Sequence, residues 1–291
     1  MHPKLATYLE LMRLDRPVGT LLLLWPTLAA LWLAADGWPP WYLVAVFSVG
    51  TFVMRSAGCV INDYADRGWD KDVERTRDRP LTAGRISERE ALILFAALSL
   101  TGALLLVFLN PLTRALALVG FALAVIYPFM KRWTYLPQVV LGAAFSWAAV
   151  MAYASVLGHV PTEAWLFYVG SLLWIVAYDT QYAMVDRDDD LQVGIKSTAI
   201  LFGAADRFMV GLLQASAVLT FSLLGDQLGF GLWYHLGLAV AAGLFVYQQY
   251  LMRDRSRPGC FKAFRNNTWV GFAYFAGVVL ETTLSAAGTA P

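Results

Sequence analysis

Cysteine and histidine are almost missing from this 291-residue chain, which has only Cys59 and Cys260, and His2, His159 and His235. Two thiols permit no disulfide framework and are read as packing residues. Three scattered histidines match no zinc-ligand spacing, so a His/Cys metal centre is excluded. Charge is scarce too: 15% of residues are Asp, Glu, Lys or Arg, against 58% hydrophobic and 14% aromatic, with a mean hydropathy of +0.55 and a net charge of +1. That balance excludes an ordinary soluble domain and leaves membrane lipid, not nucleic acid, as the expected surrounding partner. The apolar runs lack strand-like alternation, so helices rather than a barrel must satisfy the backbone in lipid. The polar stretch Met1 to Arg16 has neither the apolar core of a cleavable leader nor the Arg- and Ser-rich character of a transit peptide. A bacterial inner (plasma) membrane is expected.

What is present is a series of nine runs long enough to cross a bilayer: residues 17 to 35, 41 to 61, 90 to 109, 112 to 130, 136 to 157, 163 to 182, 207 to 225, 230 to 252 and 268 to 287. The expected architecture is an all-α integral membrane protein, a single bundle of about nine transmembrane helices forming one domain over residues 1–291. Basic residues lie on one side of that bundle: Lys4, Arg13 and Arg16 before the first run, seven Lys and Arg from Arg67 to Arg89, then Lys131 and Arg132. The opposite loops at 36–40, 158–162 and 226–229 contain no Lys or Arg, with Arg114 the exception. The positive-inside rule puts the N-terminus in the cytoplasm and the C-terminus outside.

Two acid-rich segments end the second and sixth runs, both on the basic side. The first holds Asp63, Asp66 and Asp70; the second holds Asp179, Tyr182, Asp186, Asp189 and Asp190. On helices, the spacings i, i+3, i+7 and i, i+3, i+7, i+11 line one face. Carboxylates stacked this way repel unless a divalent cation neutralises them, and all-oxygen ligation suits Mg²⁺, which keeps waters and bridges phosphate oxygens. Two facing stripes would clamp a diphosphate. The bland alternative, solvated helix ends, does not account for two matching acid sets beside apolar spans. Their recurrence also hints at two similar halves around one site.

Arg13-Leu14-Asp15-Arg16-Pro17, Asn62-Asp63-x-x-Asp66-x-x-x-Asp70, Arg75-Thr76-x-x-Arg79-Pro80-Leu81, Tyr127-Pro128-Phe129-Met130-Lys131-Arg132 and Tyr178-Asp179-Thr180-Gln181-Tyr182-Ala183-Met184-x-Asp186-x-x-Asp189-Asp190 resemble the UbiA family of intramembrane prenyltransferases, from about residue 9 to the ninth run. The nearest branch is the one acting on 4-hydroxybenzoate. The resemblance implies Mg²⁺-dependent transfer of a polyprenyl group from polyprenyl diphosphate to the 4-hydroxybenzoate ring, ortho to the hydroxyl, a membrane step of ubiquinone biosynthesis with the active site toward the cytoplasm.

On that reading Asp66, Asp70, Asp186 and Asp190 hold Mg²⁺, with Asp63, Asp179 and Asp189 as outer ligands. Asn62 stands near the acceptor, and Arg79, Lys131, Arg132, Lys196 and Tyr182 face the diphosphate. Either Arg16 or Arg55 anchors the acceptor carboxylate; Arg55 is the more unusual, being charged within a span and seven residues from Asn62 on one helical face. A snorkelling or structural Arg55 is the alternative. The segment Arg75 to Arg85, broken by Pro80 and Gly84, is expected to lid the pocket, and a lateral opening to admit the isoprenoid tail. Competing functions are a relative with another acceptor, such as a dihydroxynaphthoate, porphyrin or chlorin, and a membrane transporter.

Overall fold

The computed structural model describes residues 3–288, so His2 lies outside it. The described residues form eleven α-helices: α1 (Pro3–Leu11), α2 (Val18–Ala35), α3 (Trp41–Asp66), α4 (Glu88–Leu105), α5 (Pro111–Met130), α6 (Pro137–Leu157), α7 (Thr162–Val193), α8 (Thr198–Phe202), α9 (Asp206–Leu228), α10 (Leu232–Leu251) and α11 (Arg257–Gly288). Apart from the short α1 and α8, each of these helices overlaps one of the nine apolar runs, α7 continuing eleven residues past its run and α11 starting eleven residues before its own. The protein is a multi-pass membrane protein: the segments 18–35, 41–66, 88–108, 111–130, 137–157 and 198–228 are long and apolar enough to cross a bilayer on composition alone. The long helices α7, α10 and α11 fall outside that set, and they carry polar residues that the bundle buries, among them Gln181, Gln248 and Asn267.

Local chemistry sets the ends. Ser87 opens α4 with a capping box, its hydroxyl accepting from the Glu90 amide while the Glu90 carboxylate accepts from the Ser87 amide. Asn110 caps α5 by accepting from Thr113 N at 2.9 Å. Gly194, at φ 77°, takes the left-handed conformation that ends α7 and donates to Asp190 O. From there the chain turns so that Lys196 N donates to Lys131 O at 3.2 Å, tying the α7–α8 and α5–α6 connections together.

The helices are unequally embedded. α2 packs on α3, α6 and α11, while α7 packs on α6, α9 and α11. α4 leans on α3 alone among the long helices it contacts extensively, and Ala91 is its one buried residue; α5 buries Thr113 and Pro128. Ile93, Leu104, Val119 and Ile126 are exposed side chains of this outer pair, a surface suited to lipid.

On the opposite side an amide network crosses four helices. Gln181 donates to Gln248 Oε1 at 2.9 Å, Gln214 to the same oxygen at 2.8 Å, Gln248 to Asn266 at 3.0 Å and Asn267 to Gln181 Oε1 at 2.8 Å. Trp174 Nε1 completes it on Asn267 Oδ1 at 2.9 Å. Satisfied in this way, buried amides fix α7 against its neighbours.

Candidate active site

A cavity of about 1400 Å³ runs from the acid segments into the bundle. Its inner arm is apolar, walled by Val46 and Gly50 of α3, Leu100 and Ala103 of α4, Phe121 and Ala124 of α5, and Phe145 and Met151 of α6. Since α4 and α5 are the least embedded helices, this arm lies under the lipid-facing side.

At its polar end each acid except one meets a cation. Lys131 Nζ lies 2.5 Å from Asp66 Oδ2 and 3.5 Å from Asn62 Oδ1, while Asn62 Nδ2 donates to the same Asp66 oxygen at 3.1 Å. Arg79 bridges Asp70 (2.8 Å) and Asp63 (3.1 Å). Arg13 grips both oxygens of Asp63 at 2.9 and 2.8 Å. Arg75 places Nε 2.9 and 3.0 Å from the two Asp186 oxygens, and its Nη1 donates to Tyr182 Oη at 2.5 Å. Buried carboxylates require such partners, since an uncompensated charge costs several kcal/mol. Burial pushes the Asp70 carboxyl above its ordinary range, against the pull of Arg79 and with the help of Asp66 and Asp63.

Several expected residues stand elsewhere. The first acid stripe is not one continuous helix: α3 ends at Asp66, and Asp70 sits one turn further, its amide bonded to Asp66 O at 3.0 Å. Asp189 turns off the cavity to pair with Arg257 at 2.7 Å, because neighbours on a helix point about 100° apart. Arg132 points away from Lys131 for a similar reason, donating to Ala65 O at 2.8 Å over the Trp69 ring. Arg16 is an exposed rim residue 3.1 Å from Asp15. Lys196 lines the cavity, with Nζ 3.5 Å from Trp133 O. Arg55 lines it deeper, beside Cys59 Sγ and close over Gly19, where a Cβ would meet the guanidinium. Asp179 lies deep as well, two turns from Asp186.

Arg13 and Arg75 were quoted within sequence motifs but given no separate site role; their partners 50 and 111 residues away leave no local trace. The segment 67–87 covers the acidic end, and Leu81 and Ile86 anchor it on Leu11 and Val60. Among the described residues no ready-made cluster of three acidic or other ligating side chains is present. Two acids nevertheless suit a hard cation: Asp66 Oδ1 is buried with no donor, and the buried Asp190 has no ion-pair partner among the described residues. With oxygen donors throughout, this set fits Mg²⁺.

Residues 23–276 match the model of the UbiA prenyltransferase family. The chain belongs to the UbiA family. It is 56% identical over 280 residues to a 4-hydroxybenzoate octaprenyltransferase of Coxiella burnetii, covering 96% of this chain and 98% of that one. A 4-hydroxybenzoate octaprenyltransferase of Marinobacter nauticus is 57% identical over 282 residues, covering 97% and 96%. The apo structure of a UbiA homolog from Aeropyrum pernix superposes with a TM-score of 0.79 at 25% identity, covering 89% of this chain and 97% of that one. A UbiA homolog from Archaeoglobus fulgidus, solved with GPP and Mg²⁺, shares the fold at a TM-score of 0.66 and 18% identity, covering 94% and 99%.

Proposed function

We propose that this UbiA-family protein is a 4-hydroxybenzoate polyprenyltransferase: it moves a polyprenyl group from polyprenyl diphosphate onto the ring carbon ortho to the hydroxyl and releases diphosphate, a step of ubiquinone biosynthesis in a bacterial inner membrane. The observation that carries the reading is the shape of the cavity, charged at one end and apolar along the arm under α4 and α5. A long isoprenoid with a charged head needs both.

Asp66, Asp70, Asp186 and Asp190 would hold Mg²⁺, which when bound supplies Lewis-acid stabilisation of the charge developing on the departing diphosphate. Asp63, held by Arg13 and Arg79, positions those arginines. Arg75, Arg79 and Lys131 are the cations near enough to turn from carboxylate to diphosphate; Lys196 stands at the same mouth, and Tyr182 orients Arg75. The 67–87 segment keeps water from the allylic cation. Arg55, the cation at the inner level, holds the acceptor carboxylate, with Asn62 between it and the acids. The positive charge of the connections at the acidic end supports a cytoplasmic active site.

The test is an assay of detergent-solubilised protein with Mg²⁺, a polyprenyl diphosphate and a panel of aromatic acceptors. Product formation with 4-hydroxybenzoate, and its loss with EDTA, is expected. Preference for a dihydroxynaphthoate or a porphyrin would overturn the acceptor, and absence of any transfer would overturn the activity.

A further inference from the structure

Asp179 and Arg55 occupy matching levels of the cavity. Arg55 is eleven residues before Asp66 on α3, and Asp179 is eleven residues before Asp190 on α7. Eleven residues make about three turns, which returns to the same helical face about 16 Å further in. Both helices end at the acidic end, so the two side chains enter one cavity from different walls at similar depth.

They do not neutralise each other by contact. No ion pair within 4.0 Å joins them among the described residues, although the Asp179 carboxylate lies in the field of Lys131, Arg55 and Arg75. Arg55 Nε is buried without an acceptor. Nor does Asp179 accept a hydrogen bond from any described side chain, unlike Asp66, Asp70 and Asp186. It stands seven residues, about 10 Å of helix rise, from Asp186. A Mg²⁺ that binds oxygens at about 2.0–2.1 Å on Asp186 and Asp190 is out of its reach. The other groups facing it are Tyr127 from α5 and Tyr178 from α7 itself.

A cation and an anion facing one space without touching are matched by a ligand carrying an anion at one end and an acidic hydroxyl at the other. Resting on the acceptor reading above, we propose that Asp179 is the catalytic base that receives the phenolic proton of 4-hydroxybenzoate while Arg55 holds its carboxylate. As the C1–O bond of the prenyl diphosphate breaks, its electron pair leaves on the diphosphate oxygen. The ring carbon ortho to the hydroxyl bonds to C1, and the phenolic proton passes to an Asp179 oxygen, so the ring becomes a neutral dienone instead of a cation. Released diphosphate then removes the hydrogen at the new bond, aromaticity returns, and the Asp179 proton goes back to the oxygen. One proton is lost overall, carried by diphosphate.

The experiment uses the full-length protein in detergent, wild type against Asp179→Asn, with 4-hydroxybenzoate and with its 3-fluoro derivative, whose phenol is more acidic and which keeps one open ortho position. Relative to wild type with the same acceptor, kcat should fall about 10²- to 10⁴-fold for 4-hydroxybenzoate, the usual range for loss of a general base. The fall should be at least about tenfold smaller for the fluorinated acceptor, whose proton needs less help. Binding of Mg²⁺ with a prenyl thiolodiphosphate, read by calorimetry, should not change. An equal loss with both acceptors, or weakened thiolodiphosphate binding, overturns the proposal and returns Asp179 to a structural or metal-binding role. If Asp179→Asn does not fold, Asp179→Glu provides the same comparison, and equal losses there overturn it too. Wild-type turnover of 4-hydroxybenzoate checks the underlying acceptor reading separately, because its failure appears before any variant is compared.

Discussion

The first acid segment leaves the helix at Asp66 and finishes in a turn, its carboxylates held by Arg13, Arg79 and Lys131 from three other parts of the chain. The second stays helical through Asp190 to Val193, and one residue before Tyr182 the buried Gln181 ties α7 to α10 and α11 through amide hydrogen bonds. One half of the site is therefore assembled from ion pairs with a covering segment, and the other is set on a fixed rod. Ion pairs exchange partners readily when a stronger anion arrives, whereas a satisfied amide network does not. Diphosphate entry should consequently rearrange the 67–87 side and leave α7 in place.

The largest expected effect ignores that asymmetry. Asp66→Ala and Asp186→Ala should each lower kcat by at least about 10²- to 10³-fold, the scale of removing a group that stabilises transition-state charge, with membrane insertion and thermal unfolding little changed. Steady-state kinetics at saturating Mg²⁺ decide it; near-normal turnover in either variant would show that its half of the cluster is dispensable.

Next in size is a contrast between arginine and amide. Arg75→Ala removes the bidentate partner of Asp186 and should raise the KM for prenyl diphosphate about tenfold or more, since charge-assisted contacts to an anion are worth about 1.5–3 kcal/mol. The KM for 4-hydroxybenzoate should move far less. Gln181→Leu should do the opposite: it removes one hydrogen bond each from Gln248 Oε1 and Asn267 Nδ2 and should cost about 1–3 kcal/mol of stability, read as a lower unfolding midpoint, while the donor KM of the folded fraction holds. If Gln181→Leu disturbed donor binding as much as Arg75→Ala, the fixed-rod picture of α7 would be wrong.

The same contrast explains what was legible in the sequence. The nine helices and both acid segments are local patterns, apolar length and carboxylate spacing, and they stand close to where hydropathy and period put them. The start of α11 at Arg257, eleven residues before its apolar run, was not legible, because Asn266 and Asn267 read as a loop until their partners on Gln248, Gln181 and Trp174 are known. Direction failed for consecutive residues: Asp189 beside Asp190, and Arg132 beside Lys131, differ only in the face they present. The role of Arg75 was hidden by sequence distance, since nothing near it in the chain announces Asp186. The depth of Asp179 was available in the numbering, as seven residues from Asp186, but acid spacing alone does not separate an outer Mg²⁺ ligand from the base proposed above.

The smallest expected effect lies at the rim, where Glu10 of α1 takes both Arg85 terminal nitrogens at 2.7 and 2.8 Å and so fastens α1 to the covering segment. The hydrogen bond from Arg85 is the main cause holding the Glu10 carboxyl below its ordinary value of 4.5, against a smaller opposing push from burial. A depressed acid stabilises the fold fully above its unfolded pKa and loses that contribution as pH falls through the lower folded one. Both side chains are more than a third exposed, so solvent screens the pair and its worth is at most about 0.5 kcal/mol. Glu10→Gln should therefore lower the unfolding midpoint slightly at pH 7, and the gap from wild type should close progressively below pH 4.5. High salt at pH 7 should close it as well. A large change in donor KM from this substitution would instead mean that α1 and the covering segment move together with the ion-paired half of the site, extending the exchangeable region from the cavity to the protein's first helix.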